Sequence, residues 1–187
     1  MDAVYELLKE TPARDLTMEA IAKRARVGKP TLYKWWPSKA ALIMAMFQER
    51  FGGISESPAA ATAEQVIRAK MRRLITEMNG LFGKVVADLV AEGQSDPSIL
   101  KEFYERHISI RRDAAIADIE RGKAAGEFAA DVDAGLLLDA IFAPPYYRML
   151  LRAGPLTEKF GNELIDQVLS GVRAKGRTVQ RRHVPRS

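Results

Sequence analysis

A short run from Lys29 to Trp35 concentrates groups able to recognise a polyanion. Lys29 and Lys34 bring ammonium donors, Thr31 a hydroxyl and a methyl, and Tyr33 and Trp35 ring edges with polar tips. Projected from one helix, this mixture suits base edges and phosphates in a major groove, where a helix N-terminus fits. Lys39 adds a second clue. It falls in the first turn of the next expected helix, where a cation opposes the helix dipole. A phosphate held there by Lys39 and the free backbone N–H groups would make that placement favourable. Taken alone, Lys39 also reads as an ordinary surface lysine.

Other chemistries find little support. The chain has 187 residues, two histidines and no cysteine, which removes disulfides and thiolate zinc sites. There is no glycine-rich phosphate loop and no acidic pair at metal-ligand spacing, so no metal, no cofactor and no enzymatic activity are expected. The formal net charge is +5, unevenly spread. Between Thr17 and Lys39, Lys23, Arg24, Arg26, Lys29, Lys34 and Lys39 face Glu19 alone, and Gly171 to Ser187 carries six cations and no acid. Such asymmetry suits a nucleic acid at one end, although a solvated basic face has the same composition.

The elements that must position these groups are helices throughout, so the fold class is all-α. Val4, Leu7 and Leu8 mark a first apolar stripe, and Met18, Ile21, Ala22 and Ala25 a second. Thr17 caps the second helix, with Glu19 well placed in its first turn. After a tight turn at Ala25 to Gly28, Lys29 is expected to cap a third helix with Pro30 at its first position. A helix from Pro30 to about Trp36 cannot stand alone in water, so Leu32, with Val27 and Ile21, must pin it to the core. Ser38 to Phe51 is a fourth helix, and Gly52-Gly53 with Ile54 to Pro58 reads as a linker. Apolar periods then run through Ile67–Met78 and Leu81–Val90. A long helix opens at Asp96-Pro97 and stops near Gly126. A further helix is capped by Asp131 or Asp133 and the last by Thr157. Pro144-Pro145 is expected to end the penultimate helix and restart it, with a kink as the alternative.

Thr17-Met18-Glu19-Ala20-Ile21-Ala22, followed by the unbroken run from Val27-Gly28-Lys29-Pro30-Thr31-Leu32-Tyr33 to Ser38-Lys39-Ala40-Ala41-Leu42, resembles the DNA-binding region of the tetracycline-repressor (TetR) family. More loosely, Asp96-Pro97 to Arg111-Arg112, Glu127-Phe128, Asp131-Val132-Asp133 and Pro145-Tyr146-Tyr147-Arg148 are similar to a common C-terminal domain of that family. The resemblance implies DNA contacts from Thr17, Gly28, Lys29, Pro30, Thr31, Tyr33, Lys34, Trp35 and Lys39. Three departures stand out. Arg26 replaces a usual glycine, at a cost on the order of 1 kcal/mol if that position is left-handed. Gly28 replaces a usual serine and so loses a side-chain cap. Met1-Asp2-Ala3 falls inside the first helix, so no basic arm is expected to reach the minor groove.

The resemblance further implies a helical body with an effector cavity and a homodimer built on the last two helices. Aromatic and methionine candidates for the cavity are Met78, Phe82, Phe103, His107, Ile110, Phe142, Tyr146 and Tyr147, which would suit an apolar or aromatic small molecule. Each of them reads equally as plain core packing. The last two helices are apolar over a wider arc than one neighbour covers. Leu137, Ile141, Leu164, Ile165, Val168 and Leu169 are therefore candidates for a bundle across a two-fold axis. The expected layout is a DNA-binding head over 1–51, a ligand-binding and dimerisation body over 59–176, and an unstructured basic tail over 177–187. The expected function is a ligand-responsive repressor of a double-stranded palindromic operator. A DNA-binding or adaptor protein of the same fold without small-molecule response is the alternative. With no signal peptide and no transmembrane run, a cytoplasmic location is expected.

Overall fold

Among the described residues, six helices begin at a side-chain oxygen that accepts an orphan backbone N–H, Ser38 of α4 (Lys39–Phe51) among them. In the computed structural model, which describes residues 1–51 and 61–172, Thr17 accepts from Ala20 at 3.1 Å and opens α2 (Met18–Ala25). Thr62 and Gln65 form a reciprocal capping box on α5 (Ala63–Met78). Asp96, Asp133 and Thr157 open α7 (Pro97–Phe103), α9 (Ala134–Leu151) and α10 (Glu158–Ser170). The remaining helices are α1 (Asp2–Glu10), α3 (Lys29–Trp35), α6 (Leu81–Gly93) and α8 (Ser109–Ala124). No strand forms among the described residues. The expected linker at Gly52 to Pro58 and the basic tail lie outside them.

Three local expectations change. First, α3 starts one residue early. Gly28 is extended (φ −71°, ψ 142°) and its carbonyl accepts the Thr31 N–H at 3.0 Å, so Gly28 takes the cap position and Pro30 is not the first helical residue. Second, the long run after Pro97 is interrupted by a π-helical turn, Tyr104–Ile108, between α7 and α8. Third, α9 passes through Pro144 and Pro145 without ending. Neither proline has an N–H for the carbonyls of Ala140 and Ile141. The burial of Leu137, Leu138, Ile141 and Pro145 on one side carries the helix across that loss, normally worth about 3 kcal/mol.

Two apolar clusters organise the chain. The near cluster joins the head to the body: Val4, Leu8, Ile21, Leu32, Ile43 and Phe47 pack with Phe82, Val86, Leu89 and Phe103. The far cluster unites α5, α8, α9 and α10 through Ile67, Met71, Ile119, Leu138, Ile141, Ile165 and Leu169. α5 and α10 approach so closely that a Cβ on Gly161 would lie 2.7 Å from Ile75 and 2.8 Å from Met71. The head therefore rests directly on α6, α7 and the π turn, while α10 and the first half of α9 pack in the far cluster and Tyr146 and Met149 of α9 reach the near one.

Candidate nucleic-acid interface

The turn between α2 and α3 is set by Arg26, whose backbone is left-handed (φ 55°, ψ 40°). Its N–H bonds Lys23 and the Val27 N–H bonds the Ala22 carbonyl at 3.0 Å, the pair of bonds that closes a Schellman cap. Leu32 and Ile21 are buried and hold α3 down. Val27 does not share that task, because the turn leaves it 41% exposed.

Eight of the nine expected DNA contacts are exposed: Thr17, Gly28, Lys29, Pro30, Thr31, Tyr33, Lys34 and Trp35. Trp35 is 67% exposed, a large apolar surface for a seven-residue helix. Lys29 pairs with the Glu19 carboxylate and lies 5.7 Å from the Tyr33 ring centre. Lys34 lies 5.6 Å from the ring of Trp35. Thr17 uses a lone pair as cap, which leaves its hydroxyl proton free to donate. The face thus offers cations and hydrogen-bond donors around aromatic edges.

Lys39 differs from the other eight. Its side chain is only 17% exposed, and its ammonium donates to Glu92 Oε1 at 3.0 Å and to the Arg14 carbonyl at 3.2 Å. Ser38 caps α4 by accepting from the Ala41 N–H at 3.0 Å while its hydroxyl donates to Glu102. The anion that dipole reasoning expects beside Lys39 is supplied within the chain, by carboxylates of α6 and α7.

In the body, Met78, Phe82, Phe103 and His107 are buried and Tyr146 packs beside them on the near cluster. Phe142 packs instead against the far cluster. Ile110 and Tyr147 do not join them, since both lie on the exposed sides of their helices. The π turn stacks His107 on Phe103 at 5.6 Å, with Phe82 at 4.8 Å on another side. Phe82 in turn meets Phe47 of α4 edge-on at 5.0 Å. An aromatic chain therefore runs from the body interior to the head. Both ring nitrogens of His107 are buried without a hydrogen-bond partner. Burial, reinforced by the Arg111 charge, pushes its pKa down to about 4, so the ring is neutral near pH 7. Close by, burial would raise the Glu77 carboxyl, but Arg111 at 2.7 Å and Arg73 at 2.8 Å outweigh it and hold the group below its usual range. Burial pushes the Tyr146 phenol up to about 12. A separate cleft of about 300 Å³ opens between the head and α6, lined by Leu8, Pro12, Arg14, Leu81, Lys84 and Asp88. None of the expected cavity residues lines it. Among the described residues no cluster of metal-ligating side chains occurs.

The expected dimer residues are placed inward. Leu137, Ile141, Ile165 and Leu169 are buried within the single chain, and Leu164 and Val168 are half-buried against the same far cluster. A different stripe of α9 is exposed: Leu136, Ala140, Ala143, Tyr147 and Leu151. Leu136 is 70% exposed and its neighbour Leu137 only 4%. The signal for this second stripe is in the sequence. Helix α9 is apolar on both sides, and a helix can bury only one of them against its own chain.

Comparison with known proteins covers nearly the whole chain. Residues 1–46 match the family model "Bacterial regulatory proteins, tetR family", and residues 58–168 match "Tetracyclin repressor-like, C-terminal domain". The chain is similar to the HTH-type transcriptional regulator YdeS of Bacillus subtilis (strain 168), with 30% identity over 95% of this chain and 90% of the relative. Among solved structures it is similar to the TetR family transcription regulator SCO0332, with 28% identity, a TM-score of 0.79, and coverage of 91% of this chain and 94% of that one. The fold also matches FadR from Bacillus subtilis in complex with stearoyl-CoA, at 19% identity and a TM-score of 0.68, covering 92% and 97%.

Proposed function

The chain belongs to the tetR family of bacterial regulatory proteins and is a DNA-binding transcriptional regulator; from this premise we propose that it is a cytoplasmic homodimeric repressor that a small molecule releases from a palindromic operator. The exposed face of α3 carries this reading. Tyr33, Lys34 and Trp35 project from a helix too short to exist without the Leu32 anchor, so their solvent exposure is sustained by the fold. Thr17 and Lys39 flank that face as phosphate contacts. One such helix reads few bases, and two of them about 34–36 Å apart would read successive half-sites. The second copy is supplied through the exposed stripe of α9 from Leu136 to Leu151.

The effector is received around His107. A neutral buried imidazole with two unpaired nitrogens wants a ligand able to give and take a hydrogen bond, and Phe82 and Phe103 suit an apolar or aromatic body beside it. The structural neighbour that holds stearoyl-CoA is in keeping with a body of this fold taking up a largely apolar molecule. Displacement of Phe82 against Phe47 would reach α4 and alter the spacing of the two heads.

Footprinting upstream of the protein's own gene tests the DNA assignment. The wild type should protect a two-fold symmetric site. Tyr33→Ala and Lys34→Ala should each weaken binding on the order of tenfold while the dimer and thermal midpoint persist. Wild-type affinity in both variants would remove α3 as the reading helix.

A further inference from the structure

At the start of α4 the head meets two acids of the body. Glu92 lies in the last turn of α6 and holds the Lys39 ammonium at 3.0 Å. Glu102 on α7 accepts from Ser38, the residue that caps α4. The second oxygen of Glu92 is buried with no partner, so this carboxylate is not placed for its own solvation. Its one partner among the described residues is the side chain of the first residue of α4, at the helix end where the dipole and free N–H groups favour an anion. A DNA phosphate contacting Lys39 would seek the same place and the same cation.

We propose that Glu92, with Glu102 beside it, sets the DNA affinity of this protein by competing with the DNA backbone for Lys39 and the start of α4. The inference rests on the reading of Lys39 as a phosphate contact. An ammonium has three protons, and here one goes to Glu92 and one to the Arg14 carbonyl. Whether Lys39 leaves Glu92 or shares its third proton, the carboxylate cancels much of the charge that a phosphate would feel. A free carboxylate in the complex would also take up a cation, reducing the net release of counterions on binding. The residues that do this sit on α6 and α7, the helices on which the head rests. The strength of the restraint therefore depends on where those two helices lie.

The test uses the full-length protein and a duplex of arbitrary sequence, titrated at several salt concentrations. Removing the Glu92 charge with Glu92→Gln should tighten binding by roughly threefold per protomer, a gain typical of a partly exposed ion pair. The salt dependence should steepen by up to about one unit per protomer. Glu102→Gln should act in the same direction. Thermal midpoints should stay close to that of the wild type, which separates the effect from unfolding. In a Lys39→Ala background, Glu92→Gln should lose most of its benefit. Unchanged or weaker binding by Glu92→Gln in a folded dimer overturns the competition while leaving Lys39 as a phosphate contact. A Lys39→Ala variant with wild-type affinity and salt slope overturns both.

Discussion

His107 shows how one residue couples the body interior to solution conditions. Its ring is buried, unpaired and shifted down to about 4, whereas an unfolded chain would return it to near 6.5. Between those values the unfolded state binds a proton that the folded state refuses, so stability falls as the pH drops through this window. The loss is about 2 kcal/mol at pH 5, from 1.4 kcal/mol for each unit below 6.5. Glu77 and Asp118, both held below their usual range despite burial by paired cations, add to acid sensitivity in the same sense. Urea unfolding of the wild type and of His107→Leu at pH 7 and pH 5 isolates the histidine, because the carboxylates are common to both. The leucine variant should be more stable at pH 7, having no unpaired buried nitrogens, and should lose less on acidification. Equal losses in the two proteins would show that His107 does not resist protonation.

At the scale of elements, the α2–α3 turn carries a conflict between backbone and charge. The left-handed conformation of Arg26 costs on the order of 1 kcal/mol relative to glycine, offset in part by the larger unfolded-state entropy of glycine. Arg26→Gly should therefore raise the thermal midpoint slightly. It should also weaken binding to any duplex, with a salt slope smaller by about one unit for each protomer, since a cation leaves the α2–α3 turn. A variant that gains stability and keeps full DNA affinity would assign Arg26 no electrostatic role. The turn itself was legible from Ala25 to Gly28. The π turn at Tyr104–Ile108 was not, because Phe103 and His107 stand four residues apart, a spacing that an unbroken α-helix satisfies equally well. The passage of α9 through two prolines was likewise hidden. Local rules end a helix there, and the burial of Leu137, Leu138 and Ile141 in the far cluster, with that of Pro145 itself, opposes them.

For the whole molecule, the two clusters separate the exposed face of α3 from the exposed Leu136 end of α9, the two surfaces that the proposed function uses. The near cluster runs unbroken from Val4 of the head to Phe103 of α7, so the head is packed on the body by an apolar contact. The far cluster buries one face of α9 and leaves Leu136, Tyr147 and Leu151 outward. Leu136→Glu with Tyr147→Glu should give a folded monomer in sedimentation equilibrium, with operator binding reduced by far more than either half-site contact explains. Leu137→Glu should instead lower the thermal midpoint severely, since it places a charge in the far cluster. Persistence of the dimer in the first pair would move the interface off this stripe.

Helix existence, most caps, the helix-turn-helix motif from Thr17 to Lys39 and the family were determined by the sequence alone. They rest on short-range physics: a Thr or Asp oxygen within three residues of an N–H, an apolar period of 3.6, and an unbroken motif. Which apolar face of α9 is core and which is free depended on the tertiary structure, because both are apolar along the chain and the packing of α5, α8 and α10 chooses between them. The partner of Lys39 was decided in the same way. Local electrostatics calls for an anion at the start of α4, but Glu92 stands 53 positions away in the sequence, and only the packing of head on body brings it there.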